Sequence, residues 1–242
     1  LNCLSGQTQN QPGLAAQSEI YLSGREHRLD SCYIEQHVHQ CIDGKLTVRQ
    51  VLQYAFRFKN RNAAEGAMRK HILAIVDELM LGRDVLDRCF GLCSGGEQKR
   101  IAIGQELMAL HAPTFLLVDE PTTGLDSVSA FEVMTVLKQL ALKHRMTVIA
   151  SIHVPNNETL ALFHQLYVLA KGGVCIYSGP PAMLGPCLER DTQMCIPGDE
   201  KPIEVLMQFA CQGVANSCEV GKLGDKYAAQ NSNQISDAIT SL

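Results

Sequence analysis

The stretch Phe115-Leu116-Leu117-Val118-Asp119-Glu120-Pro121 decides how this chain folds. Four consecutive apolar residues suit a strand buried on both faces, the habit of parallel sheets covered by helices. Two carboxylates follow at once, and packing has no need of them there. In open α/β sheets, ligands sit beyond the carboxyl ends of the strands. One carboxylate could hold Mg²⁺, directly or through water, and the other could orient or deprotonate a water. A helix cap or a surface turn is the plainer alternative.

Downstream, the pattern predicts a helix from about Ser127 to Lys143, with Phe131, Met134, Leu137 and Ala141 on its buried face. Thr147-Val148-Ile149-Ala150 reads as a second buried strand, ending in Ser151-Ile152-His153. Gln165 to Leu169 and Val174 to Tyr177 flank Gly172-Gly173 and read as a hairpin. Asn157-Glu158-Thr159 matches a glycosylation sequon but is better explained as a helix start. After Pro180-Pro181 the pattern weakens. Residues from about Asp191 are mixed, and the tail from Gly224 reads as polar and flexible.

Upstream, Ser94 and Glu97 form a capping-box pattern that opens a helix to about Leu110. Thr47 and Gln50 form another, followed by Val48, Val51, Leu52, Ala55 and Phe56 on one face. A second amphipathic helix runs from about Ala64 to Leu79, so two helices in succession suggest a helical insert. Asp30 to Ile34 and Ser18 to Leu22 read as short strands. Strands alternating with helices predict an α/β domain with a mostly parallel sheet.

Composition narrows the class. With 242 residues, the chain can form one sizeable domain, or one domain plus an appendage. A net charge of −4 implies no general affinity for polyanions, so nucleic acid is not an expected partner. The ten cysteines form no C-x-x-C pair, and reduced thiols are the expected state. No apolar run approaches the roughly 18 residues of a membrane helix. The chain begins at Leu1 in what reads as mid-helix, which suggests a piece of a longer protein.

Other candidate groups have two readings each. Ser94-Gly95-Gly96 offers unhindered backbone N–H groups, a hydroxyl and a positive helix N-terminus, which suits an anion; a capped helix start is the alternative. His153 follows a buried strand, although a lone histidine is commonly a structural hydrogen-bonder. His37 and His39 hint weakly at a metal pair. Lys99-Arg100 reads as a solvated helix face. The phosphate loop G-x-x-x-x-G-K-[ST] does not occur. Gly44-Lys45 and Gly221-Lys222 have His39 and Asn216 where its first glycine would stand.

The order and spacing of these groups carry more than any one of them. A Ser-Gly-Gly-Glu helix start precedes the strand ending in Asp-Glu-Pro. Thr122-Thr123-Gly124-Leu125-Asp126-Ser127 follows, then a helix, a strand and Ile152-His153. This resembles the nucleotide-binding domain of ABC transporters, most closely the white/brown-type half-transporters of subfamily G. That subfamily carries V-S-G-G-E-R-K-R, D-E-P-T-[ST]-G-L-D-S and T-I-H-Q-P, matched here by Cys93 to Arg100, Asp119 to Ser127 and Ser151 to Pro155. Val154 departs from the usual Gln, and Cys93 from Val or Leu.

The resemblance implies an α/β P-loop NTPase (RecA-like) core with a helical subdomain at about 40–110. It implies a partial nucleotide-binding domain over 1–190, and a linker toward a transmembrane domain over 191–242. Lys201-Pro202-Ile203-Glu204-Val205 loosely resembles the N-P-A-D-F segment of that linker. Leu1 to Gly6 resembles the helix directly after the P-loop, so the loop and its strand would lie just before Leu1, and the chain alone is expected to be inactive. Asp119 looks like the Walker B aspartate that helps hold Mg²⁺, and Glu120 like the glutamate that polarises the attacking water. Gln36 resembles the Q-loop glutamine, which senses Mg²⁺ and γ-phosphate, and His153 the switch histidine. Asp126 belongs to the D-loop. Ser94, Gly95, Gly96 and Glu97 resemble the signature loop, which caps ATP held by a partner subunit.

The implied function is ATP binding and hydrolysis at the interface of two half-transporters on the cytoplasmic face of a membrane. Hydrolysis would drive export of sterols and other lipids, pigment precursors or xenobiotics. A non-catalytic partner subunit that supplies only the signature loop is the alternative. A soluble ABC ATPase acting on ribosomes or DNA repair would carry tandem cassettes or long coiled coils, and neither occurs in the sequence.

Overall fold

The computed structural model describes residues 30–37, 42–61, 63–153, 155–192, 201–212 and 220–230. The described residues fall into two compact units, 30–153 and 155–230. The segments Ser18 to Leu22 and Leu1 to Gly6, and His39, lie outside the described residues.

In the first unit, three parallel strands stand in the order β1 (Ser31–Ile34), β2 (Phe115–Val118) and β3 (Thr147–Ala150). Their registers align Ile34 with Val118 and Val118 with Ala150. All three strands therefore end level, and the residues that follow them emerge along one edge. Leu116, Leu117 and Val118 of β2 are essentially inaccessible, as expected of a central strand. β3 is only half-buried, not the fully buried strand its apolar run suggests, because β2 flanks it on one side alone among the described strands.

Between β1 and β2 lies the helical insert. Thr47 caps α1 (Val48–Lys59) through the full reciprocal capping box with Gln50. α2 (Glu65–Glu78) follows, then 3₁₀ turns at Arg83–Asp87 and Phe90–Leu92. Next comes α3 (Gly95–Glu106), which ends four residues earlier than its pattern suggests. Phe56 and Leu52 of α1 are buried with Ile75 and Leu79. Fully burying side chains of this size stabilises by about 1.5–3 kcal/mol each. At Gly104 of α3, a Cβ would stand 2.6 Å from Leu79 and 3.6 Å from Leu52, so the missing side chain permits this close approach.

α4 (Ser127–His144) joins β2 to β3 and turns its buried face, Val133, Met134, Val136, Leu137 and Leu140, inward. Phe131 lies at the exposed rim of that helix rather than in the core. The helix ends at Arg145, whose φ of 53° is left-handed.

In the second unit, Asn156 caps a short helix, α5 (Asn157–Leu160), the helix start expected at the sequon. β4 (Leu166–Leu169) and β5 (Cys175–Gly179) pair antiparallel, with Gly172 and Gly173 at positive φ in the turn. α6 (Leu184–Thr192), α7 (Pro202–Gln212) and α8 (220–230) complete it. Leu188, Leu206, Val220, Leu223 and Tyr227 pack with the hairpin's Ile176 and Tyr177. Residues 224–230 are thus helical and anchored by Tyr227, not the polar tail their composition suggests. Among the described residues, no helix is long and apolar enough to cross a membrane.

Candidate functional site

The level ends of the three strands bring one residue group together. Asp119 follows β2 directly, and its backbone N–H bonds to Ile34 of β1 at 2.9 Å. Its carboxylate accepts two hydroxyls: Ser151 Oγ at 2.5 Å on Oδ1 and Tyr33 Oη at 3.1 Å on Oδ2. Tyr33 is pushed up to about 12, first by burial and then by its bond to Asp119. It therefore remains a protonated donor across the neutral range.

Glu120 adopts φ 43°, left-handed for a residue with a side chain. Such conformations cost on the order of 1–3 kcal/mol and persist where surroundings enforce them. Ser151 Oγ supplies part of that enforcement by accepting the Glu120 N–H at 2.9 Å. The carboxylate of Glu120 accepts Gln36 Nε2 at 2.5 Å and Thr123 Oγ at 2.8 Å. Gln36, Asp119 and Glu120 thus form one hydrogen-bonded cluster, drawn from the ends of β1 and β2 and braced by Ser151 from β3.

Lys99 joins this cluster from α3. Its Nζ donates to the Gln36 carbonyl at 2.5 Å, and only 8% of the residue is exposed. Burial lowers its pKa, while the charges of Glu120 and Asp119 pull it back up. Arg100 is equally buried and pairs with Glu132 of α4 at 3.0 Å. The Lys99-Arg100 pair is therefore no solvated face: residues 98–104 of α3 are all buried, so the middle of this helix has no open side.

The second group lies at the start of α3. Ser94 caps the helix, accepting the Glu97 N–H at 3.3 Å, and Glu97 returns the bond by accepting the Ser94 N–H at 2.7 Å. Arg88 pairs with Glu97 at 3.0 Å. Burial opposes ionisation of Glu97, but the Ser94 N–H and Arg88 outweigh it and hold the carboxyl below its ordinary value. Asp126 caps α4 by accepting the N–H groups of Val128 and Ser129, each at 3.0 Å. A Cβ on Gly95 would come within 2.9 Å of Leu125, and one on Gly96 within 3.0 Å of Ser129. The two glycines therefore let the start of α3 lie directly on the segment around Asp126. Ser94 and Gly95 remain exposed.

His153, two residues beyond Ser151, is exposed. Among the described residues, no hydrogen bond ties it to either group. Tyr33, Thr123 and Lys99 have places in the site that the motifs alone do not signal. Tyr33 could have been found from strand register, since β1 must pair with β2 for Gln36 to reach Glu120.

Among the described residues, no three His, Cys, Asp or Glu side chains form a self-sufficient metal site. What the cluster offers is a carboxylate and an amide. Such hard oxygen donors fit Mg²⁺, which is commonly held by one or two carboxylates together with substrate phosphates.

Residues 1–123 match the sequence profile of the family described as ABC transporter. The chain is 35% identical over 179 residues to "ABC transporter G family member 8" of Arabidopsis thaliana, covering 74% of this chain and 29% of that protein. It is 36% identical over 184 residues to "ABC transporter G family member 5" of Oryza sativa subsp. japonica, covering 74% and 22%. To "ATP-binding cassette sub-family G member 5" of Homo sapiens it is 34% identical over 172 residues, covering 68% and 26%. The chain thus spans less than a third of the length of these relatives. The solved structure "Dimeric Structure of MJ0796, a Bacterial ABC Transporter Cassette" aligns with TM-score 0.47 and 25% identity over 56% of each chain.

Proposed function

This chain belongs to the ABC transporter family, with relatives in subfamily G, and from that premise we propose that it binds and hydrolyses ATP to drive export across a membrane. The observation that carries the reading is the cluster in which Gln36 holds Glu120 beside Asp119 at the carboxyl edge of the parallel sheet.

The residue roles are those the family resemblance implies, and the geometry supports them. Glu120 orients and polarises the attacking water, with its carboxylate aimed by Gln36 and Thr123. Asp119 and the Gln36 side-chain oxygen would hold Mg²⁺, which when bound offsets the charge of the transferring phosphoryl group. Ser151 and Tyr33 keep the Asp119 carboxylate in one orientation. His153 is exposed at the same edge, where it would bind the γ-phosphate. Phosphoryl transfer is catalysed mainly by positioning and charge, so a braced carboxylate pair is the protein's main contribution.

Ser94, Gly95, Gly96 and Glu97 would serve a second subunit. Their exposed N-terminal helix end suits a phosphate, and it would cap the ATP of the partner half-transporter. Asp126, against that same helix start, would report closure of the dimer. The working unit is then a homo- or heterodimer at the cytoplasmic face of a membrane, with no nucleic-acid partner. Hydrolysis there would drive export of a lipid, sterol, pigment precursor or xenobiotic.

The test uses the purified full-length protein. Glu120→Gln is expected to lower ATP turnover by about a hundredfold or more while ATP binding persists. Turnover at the unaltered rate would overturn the role of Glu120.

A further inference from the structure

We propose that Lys99 is a positioning residue, tying the helix that carries Ser94, Gly95 and Gly96 to the glutamine that holds Glu120. The proposal rests on the reading of Glu120 given above.

Four observations support it. Lys99 lies five residues beyond Ser94 on α3, about 7.5 Å along a continuous helix at the usual rise. Only 8% of the residue is exposed, and its ammonium donates to the main-chain oxygen of Gln36 at 2.5 Å. The Gln36 side chain in turn donates to Glu120 at 2.5 Å. Lys99 also lies within electrostatic reach of Glu120 and Asp119, which compensate its buried charge.

A charge buried in this way is costly unless paired, so a methionine would fill the space with less penalty. What methionine cannot supply is the grip on Gln36. Glu120 is oriented by Gln36 after β1, by Thr123 of its own loop after β2 and by Ser151 after β3. Of these, only the Gln36 link continues by hydrogen bond, through Lys99, into α3 among the described residues. α3 starts at the loop proposed to cap the partner's ATP. Movement of that helix when the loop engages one nucleotide is therefore passed to the carboxylate that acts on the other. Lys99 touches no reacting atom and acts through Gln36.

The experiment measures ATP turnover against ATP concentration in the full-length transporter reconstituted in lipid. Lys99→Met is expected to lower kcat about tenfold and to leave KM within about twofold, because the carboxylate is misplaced but the nucleotide contacts remain. Lys99→Arg keeps charge and donor and is expected to recover most of kcat. Combining Lys99→Met with Gln36→Ala is expected to cost no more than Gln36→Ala alone, since both act through one route. Should the methionine variant not fold, Lys99→Gln, too short to reach the carbonyl, is expected to show the same loss of kcat.

Fully additive losses in the double variant would overturn the proposal. So would wild-type kcat in Lys99→Met where Glu120→Gln is inactive, or a change confined to KM. Wild-type turnover in Glu120→Gln would instead overturn the underlying reading of the site, whatever Lys99→Met shows.

Discussion

Ser151 and Asp119 leave neighbouring parallel strands level with each other and share a hydrogen bond of 2.5 Å from hydroxyl to carboxylate. The same hydroxyl accepts the N–H of Glu120. One oxygen just beyond β3 therefore sets the direction of the carboxylate proposed to hold Mg²⁺ and the left-handed backbone of the carboxylate proposed to act on water.

Removing that oxygen should disturb both acids together. Ser151→Ala is expected to lower kcat for ATP by about ten- to hundredfold. Ser151→Thr, which keeps a hydroxyl at the same branch, should retain most of it. Steady-state turnover of the full-length protein checks this. Equal activity in both variants would mean that the bridge has no catalytic consequence.

Two capping boxes of the same design should behave differently. Thr47→Ala and Ser94→Ala each remove one side-chain acceptor at a helix start. Each is expected to cost about 1 kcal/mol of stability, read as a drop in thermal midpoint. Only Ser94→Ala should also reduce turnover, because its loop is the one proposed to meet a nucleotide.

Glu97 gives a pH-dependent test. Its pKa in the folded state is lowered, through the Ser94 N–H and Arg88 acting against burial. Its contribution is therefore fully present above the unfolded glutamate value of about 4.3 and is lost as pH falls through the lower folded value. Glu97→Gln can still accept the capping bond but carries no charge. It should lose about 0.5–1 kcal/mol at pH 7, and the difference from the unaltered protein should disappear in strong acid. Thermal unfolding at several pH values reads this out.

Much of the fold was legible in local pattern. Phe115 to Val118 required burial on both faces, the two capping boxes marked their helix starts, and Gly172-Gly173 marked the hairpin. These features depend on neighbours within a few residues. Asp119, Glu120 and the Ser94 loop were legible as candidates for the same reason, since each sits at the end of a recognisable element, whereas Gln36 was named only through the family resemblance. The misreadings share a cause too. Lys99 and Arg100 carry charges that argue for solvent, and Gly224 opens a polar stretch. Yet the middle of α3 is enclosed on every side, and α8 is pinned through Val220, Leu223 and Tyr227.

By itself the sequence determined the alternation of strands and helices, the two Gly-rich or acidic turns, and the order in which they occur. Those are consequences of period, capping and chain direction, all short-range. Only the tertiary structure decided that Gln36 reaches Glu120 across 84 residues of chain, that Ser151 bridges both acids, and that Lys99 turns inward to bind the Gln36 carbonyl. Those contacts depend on strand register and on which helix face is covered. Both are set by the packing of residues far apart in the chain.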